Sequence, residues 1–369
     1  MTKINVFSIA KILLFVVIAL ALAVVIYLRQ PLFGALPQHE YAVRIQQSTN
    51  YVGGEFLNQI DTPLMTTDQS QVSLMLSNLF SKGETRPPVA VPVMKTSINT
   101  LDITQDIVIW LGHSSYYIQL NGQRILLDPV FSVNASPVPY TNMAFDGTSL
   151  YSAADMPEID VLLITHDHYD HLDYPTILAL QPKVKQVIAG LGTGAHFERW
   201  GYDMARVHEM DWNDSRELAP GITLHATPAR HFSGRTFTKN QALWLGFVLI
   251  TPQRRLFFSG DTGYGPHFAN IGQQFGPFDW VTLDMGQYDP RWANVHMNPE
   301  QAAQAAEDLQ ARILMPGHVG RFSISPHDWD DPFKRIVAAS QNRDYELWTP
   351  VIGQPIYFDG RSQNFSVWW

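Results

Sequence analysis

The chain has 369 residues, a net charge of −9 from 25 basic and 34 acidic side chains, and no cysteine. Its 46% apolar and 16% charged composition fits one large or two small folded domains and excludes disorder over most of the length. The absence of dense Lys/Arg runs excludes an extended nucleic-acid surface, and the absence of cysteine excludes disulfides and thiolate ligands, so any metal must rest on His and carboxylates.

Ile12 to Leu28 is an unbroken apolar run that reaches back to Val6 if Lys11 snorkels. About 20 helical residues span a bilayer core, so residues 1–30 are predicted to be a single-pass transmembrane anchor. A cleaved signal peptide has a shorter apolar region that ends at small residues; here Tyr27, Leu28, Arg29 and Gln30 follow instead. Lys3 and Lys11 precede the span and Arg29 follows it, a bias that places the body on the non-cytoplasmic side. Residues 31–100 read as a connecting arm packing on the main body, with a short helix around Leu74 to Phe80. From residue 101 to 369 the pattern is that of one domain. Ile107 to Leu111, Tyr116 to Leu120 and Arg124 to Leu127 are strand-like, with a hairpin turn at Asn121-Gly122. Val161 to Ile164, Val184 to Ala189, Ile222 to Thr227, Leu243 to Ile250, Arg255 to Phe258, Trp280 to Leu283 and Arg312 to Met315 are further strands. Asn298 is a predicted N-cap, with Pro299 at the first helical position and Gln301 placed for a capping box, before a helix through Leu309. Strands alternating with helices predict an α/β sandwich with its chemistry on strand-end loops.

Thr165-His166-Asp167-His168-Tyr169-Asp170-His171 follows a buried strand. Side chains two apart in extended chain share a direction, so His166 and His168 point together, and the following bend presents Asp170 and His171 to a second position. Neutral imidazoles and carboxylates are good zinc ligands. Three later donors also sit just past strands, beside small or turn-forming residues: His231 in Pro228-Ala229-Arg230-His231, Asp261 in Ser259-Gly260-Asp261-Thr262-Gly263, and His318 in Pro316-Gly317-His318.

This order of donors resembles the metallo-β-lactamase superfamily over about Ile107 to His318. The resemblance implies a four-layered αββα sandwich with two metal ions, expected to be zinc, at one edge. It implies that His166, His168 and His231 hold the first metal, that Asp170, His171 and His318 hold the second, and that Asp261 bridges them. A narrower similarity is to the N-acylphosphatidylethanolamine-hydrolysing phospholipase D branch. It is carried by Trp110-Leu111-Gly112-His113-Ser114-Ser115, by Leu127-Asp128-Pro129-Val130-Phe131-Ser132, by His168 to Asp173, by Gly260-Asp261-Thr262-Gly263-Tyr264 and by His296-Met297-Asn298-Pro299-Glu300. The branch commonly has Trp where Phe232 stands, and an aromatic-Gly-Thr-Phe run where Val319-Gly320-Arg321-Phe322 stands.

The resemblance implies a zinc-dependent phosphodiesterase acting on a phospholipid at a membrane, since a pair of metal ions lowers the pKa of a shared water to about 7. Asp170, Asp261 and His296 are the expected catalytic residues, His296 as proton donor or phosphate contact. Arg235 and Arg321 are candidate phosphate contacts. His113 and Asp128 are candidates to orient ligands from behind. No role falls to His39, His196, His208, His225, His267 or His327. A hydrolase of a soluble lactone or cyclic phosphate is the alternative enzyme, and a membrane-tethered, non-catalytic metal-binding protein is the alternative outside catalysis. A diiron redox role fits less well, because the oxygen-reducing branch of the fold usually carries Glu where His168 stands.

Overall fold

Strands that are apolar on both faces need cover on both sides, and two stacked sheets flanked by helices supply it. The computed structural model describes residues 6–69, 73 and 83–369; the short helix expected around Leu74 to Phe80 lies outside the described residues. A small hairpin joins β1 (Tyr51–Val52) and β2 (Glu55–Phe56). One seven-stranded sheet contains β3 (Ile107–Gly112), β4 (Ser115–Leu120), β5 (Gln123–Leu127), β6 (Ile159–Ile164), β7 (Val184–Gly190) and β8 (Val207–Met210). The other contains β9 (Ser215–Ala219), β10 (Ile222–Thr227), β11 (Gly246–Ile250), β12 (Arg255–Phe258), β13 (Trp280–Asp284), β14 (Ile313–Gly317) and β15 (Glu346–Leu347). The last strand, β16 (Pro355–Tyr357), returns to pair antiparallel with β3 and completes the first sheet.

The side-chain alternation of β3 shows how the layers form. Val108 and Trp110 face the second sheet, in a core with Leu224, Phe247, Phe257 and Val281. Ile107, Ile109 and Leu111 face the other way, onto Ile177 and Leu180 of the helix Tyr174–Leu180 and Phe197 of the helix Gly194–Arg199. On the second sheet, helices His267–Phe275, Pro299–Asp308 and Asp331–Ala339 contribute Phe268, Ala302, Ala306 and Phe333 to the core. The layer order is therefore αββα. The predicted cap holds: Asn298 Oδ1 accepts from the Gln301 amide at 2.9 Å, and Gln301 Oε1 accepts from the Asn298 amide at 3.1 Å. One strand is shorter than expected. Leu243 and Leu245 leave the second sheet and donate across to the carbonyls of Leu191 and Thr165, so β11 begins only at Gly246.

Topology fixes where chemistry can sit. Strands β5, β6 and β7 run parallel, as do β12, β13 and β14. Two antiparallel steps relate β3 to β5 and β10 to β12, so these also end on the same side. The C-terminal ends of β3, β5, β6, β10, β12, β13 and β14 share one edge of the sandwich.

The apolar helix Val6–Leu28 projects from this body: its 19-residue stretch Ala10–Leu28 has no buried residue, and its last turn touches the body through Tyr27 and Leu28. The arm after it is bound to the body by its main chain. The Arg199 guanidinium donates to Arg29 O, the Trp200 indole to Pro31 O, and the Ala35 amide to His196 Nδ1 at 3.0 Å. Gly34 lies so close to His196 that a Cβ there would fall 2.0 Å from its ring, so only glycine fits.

Candidate metal centre

Each donor predicted from sequence sits just beyond the end of a strand on the shared edge. Residue 260, between β12 and Asp261, is glycine at φ +59°, and a Cβ there would meet Leu245 O at 2.8 Å. His113, Asp128 and His318 all carry positive φ, a conformation that non-glycine residues hold only where their surroundings enforce it.

The structure brings His166, His168, His231 and Asp261 into one group, and His113, Asp170, His171 and His318 into an adjoining one. In the first, His166 Nε2 and His231 Nε2 lie 2.9 and 3.2 Å from His168 Nδ1. In the second, His318 Nε2 lies 3.1 Å from Asp170 Oδ2, and His171 Nε2 lies 3.6 Å from the same oxygen. Asp261 faces both: Oδ2 is 3.7 Å from His166 Nε2 and His231 Nε2 and 3.2 Å from His318 Nε2, while Oδ1 is 3.1 Å from His171 Nε2.

The outer nitrogens decide what the inner ones present. His231 Nδ1 faces the Val295 carbonyl at 3.0 Å, His171 Nδ1 faces Asp128 at 2.8 Å, and His318 Nδ1 faces Asp284 at 3.1 Å. Carbonyl and carboxylate only accept, so each of these nitrogens carries the proton and each Nε2 turns a lone pair inward. Those lone pairs meet the oxygens of Asp170 and Asp261, acceptor against acceptor. His171 Nε2 and Asp261 Oδ1 are buried and make no hydrogen bond, although 3.1 Å apart. Protons can answer part of this conflict. Burial works against a charged His171, yet Asp261 and Asp170 hold it well above the usual imidazole range. Burial would raise the Asp261 carboxyl, but His171 and His318 hold it well below the ordinary carboxylate range. Burial, together with neighbouring imidazoles, keeps His166 and His231 well below the usual range, the neutral form that ligates. Divalent cations fit this donor set, since they satisfy lone pairs and carboxylates together.

His113, itself in the second group, and Asp128 both contact residues predicted as donors. His113 Nε2 contacts Asp170 Oδ2 at 2.9 Å, and burial pushes the His113 imidazole down to about 4. Asp128 accepts from Thr165 N and Oγ1 as well as from His171. His296 is half-buried on the cavity wall, its Nδ1 2.8 Å from Asp284 Oδ2, and groups with Asp261 and His318. The cavity above the cluster measures about 240 Å³ and is bordered by His168, Asp170, Phe232, Asp261, His296 and His318.

Arg235 and Arg321 do not reach this cavity, which corrects their reading as phosphate contacts. Arg235 is buried between Tyr169 and Trp200 and gives its hydrogen bonds to the carbonyls of Leu32, Asp167 and Leu172. Arg321 is buried and donates to the carbonyls of Val130 and Ser132. Their donors hold loops together. Lys239 Nζ lies 4.9 Å from the centre of the Phe232 ring, which borders the cavity.

Two residues escaped the sequence reading. Asp284, at the end of β13, holds His318 and His296 with its two oxygens and also accepts from the Thr262 amide. It had a signal, a carboxylate ending an apolar strand, like the donors that were found. Asn58, in the arm, had none. Its Oδ1 accepts from the His231 amide at 3.0 Å and its Nδ2 donates to the His231 carbonyl at 2.8 Å, clamping that backbone from both sides. Asn58→Ala is expected to weaken metal affinity by roughly 10–100-fold, the usual effect of losing an outer-shell partner. Asn58→Asp keeps the acceptor, loses the donor and should fall between. Titration against a chromophoric chelator measures this, and an Asn58→Ala affinity equal to that of the parent would show the clamp to be idle.

A two-sheet αββα sandwich with a His/Asp cluster at the strand ends defines a metal-dependent hydrolase of the metallo-β-lactamase class. Residues 123–319 match the family model described as a beta-lactamase superfamily domain, and the chain belongs to that superfamily. It is 32% identical over 262 residues to the N-acyl-phosphatidylethanolamine-hydrolyzing phospholipase D 1 of Caenorhabditis elegans, covering 66% of this chain and 74% of that one. An uncharacterized protein of Mycobacterium tuberculosis is 35% identical over 329 residues, 88% of each chain. Among solved structures, the metallo hydrolase Igni18 of Ignicoccus hospitalis superposes with a TM-score of 0.53 at 19% identity, over 70% of this chain and all of that one, a likeness of fold.

Proposed function

We propose that the chain is a membrane-anchored, zinc-dependent phosphodiesterase that cleaves N-acylphosphatidylethanolamine or a related phospholipid in the manner of a phospholipase D. In this reading residues 1–30 are the anchor, with the body on the non-cytoplasmic side, residues 31–100 the arm, and residues 101–369 the hydrolase domain. The observation that carries it is the convergence of seven donors, His166, His168, Asp170, His171, His231, Asp261 and His318, with inner lone pairs fixed by outer hydrogen bonds. The similarity to the Caenorhabditis elegans enzyme supports the substrate class.

His166, His168 and His231 would hold one ion, Asp170, His171 and His318 the other, and Asp261 both. When bound, such a pair of ions acidifies a shared water to a pKa of about 7 and offsets charge on phosphoryl oxygens. In hydrolysis a water oxygen bonds to phosphorus and the phosphorus–oxygen bond to the alcohol breaks. The departing oxygen needs a proton. His296, on the cavity wall with Nδ1 held by Asp284, is placed to give one from Nε2. Phe232 packs on His168 and His231 at 4.6 and 4.7 Å between ring centres and shields them from water.

The deciding experiment assays the purified chain on phospholipid classes beside soluble phosphodiesters and lactones, with and without chelator. Chelator-sensitive release of phosphatidate supports the proposal; equal turnover of a soluble lactone or cyclic phosphate without membranes would replace it. Deleting residues up to Gln30 should release the chain from membranes and lower activity on bilayers more than on detergent-dispersed lipid, because a tether raises effective concentration without touching the chemistry. An equal fall in both activities would assign the helix to folding instead.

A further inference from the structure

The face where the apolar helix meets the body carries features the hydrolytic chemistry does not use. The segment from Ser132 to Ala144 contains no charged residue. Its outer residues are nonetheless solvent-facing: Tyr140 is 89% exposed, and Val133 and Val138 are 53% and 49% exposed, while Ala135 and Ala144 are buried. A second loop puts Phe237 at 88% exposure, two residues from the exposed Lys239. Both loops are tied to the foot of the helix. The Tyr27 hydroxyl donates to the Pro137 carbonyl, and Leu28 shares a cavity of about 210 Å³ with Thr236 and Thr238. Both also border the metal cavity, through Pro137 and through Phe232. One face thus joins the end of an apolar helix, two aromatic-tipped loops and the mouth of the site.

We infer that the loops tipped by Tyr140 and Phe237 seat in the headgroup layer of the bilayer that the helix enters, holding the mouth of the metal cavity against that layer. This rests on the reading that Val6–Leu28 spans a membrane. The occupant follows from continuity: a surface adjoining the exit of a spanning helix lies at headgroup depth, where aromatic side chains concentrate. Arg29, just past the span, and Lys239 supply cations for lipid phosphates. A lipid then enters from the membrane side.

The cysteine-free chain makes the test direct. Tyr140→Cys, Phe237→Cys and, as control, Asn121→Cys at the exposed hairpin between β4 and β5 are each labelled with an environment-sensitive fluorophore. The full chain is reconstituted into vesicles of phosphatidylcholine and phosphatidylglycerol. Labels at 140 and 237 should shift emission to the blue and lose it to spin-labelled lipid but not to aqueous iodide; the label at 121 should behave oppositely. Iodide quenching at 140 and 237 equal to that at 121 would overturn the inference. The paired substitution Tyr140→Ser with Phe237→Ser should leave membrane retention and turnover of a short-chain soluble phosphodiester intact while bilayer turnover drops; undiminished bilayer turnover would also overturn it. Labels that insert in a chain that hydrolyses no lipid would uphold the docking face and refute the proposed substrate.

Discussion

Asp261→Asn is expected to abolish turnover while leaving the fold intact. Its carboxylate approaches both halves of the centre, with Oδ2 3.7 Å from His166 and His231 and 3.2 Å from His318, and Oδ1 3.1 Å from His171. An amide keeps the shape, removes the charge and turns one inward atom into a donor against an imidazole lone pair. The loss should exceed the roughly 10²–10³-fold that removal of a single electrostatic stabiliser costs, because ion spacing and water activation go together. Circular dichroism should stay parental, since the Gly260 turn and the backbone on either side of Asp261 are unaltered by the change. Near-normal turnover in Asp261→Asn would remove the bridge from the account.

His296→Ala should lower lipid hydrolysis by about 10²–10⁴-fold, the range of a general acid–base group, with metal content unchanged. His296 shares Asp284 with the donor His318, so the ring is oriented by the same carboxylate that fixes a metal ligand. The loss should be smaller on a substrate with a good leaving group, such as a nitrophenyl phosphodiester, which needs no proton. An equal loss on both substrates would make His296 a binding residue, and loss of metal would make it a ligand.

The site was legible where chemistry is local in sequence. Five His and Asp side chains from His166 through His171 after an apolar strand have few other uses, and His231, Asp261 and His318 each stand just past a strand end. The capping box at Asn298 was equally local. What could not be read depends on contacts between distant segments. Strands β8 and β9 are short and partly exposed at sheet edges, with Val-His-Glu-Met and Ser-Arg-Glu-Leu-Ala sequences that carry little apolar pattern. Strand β16 contains Pro355, and its partner β3 is far away in the chain. Asn58 is one polar residue in a polar arm, and only folding puts it against His231. Arg235 and Arg321 show the converse limit. Residue type announces a phosphate ligand, but the fold gives their donors to backbone carbonyls.

Hydrolysis is proposed to depend on two metal ions held by the His/Asp cluster, and that dependence can be measured. Elemental analysis of chain purified without chelator, paired with turnover before and after metal removal, tests it most directly. About two zinc-like ions per chain are expected, with loss of turnover on their removal and recovery on adding zinc. Metal content near zero that zinc addition does not change, in a chain that still turns over substrate, would contradict it.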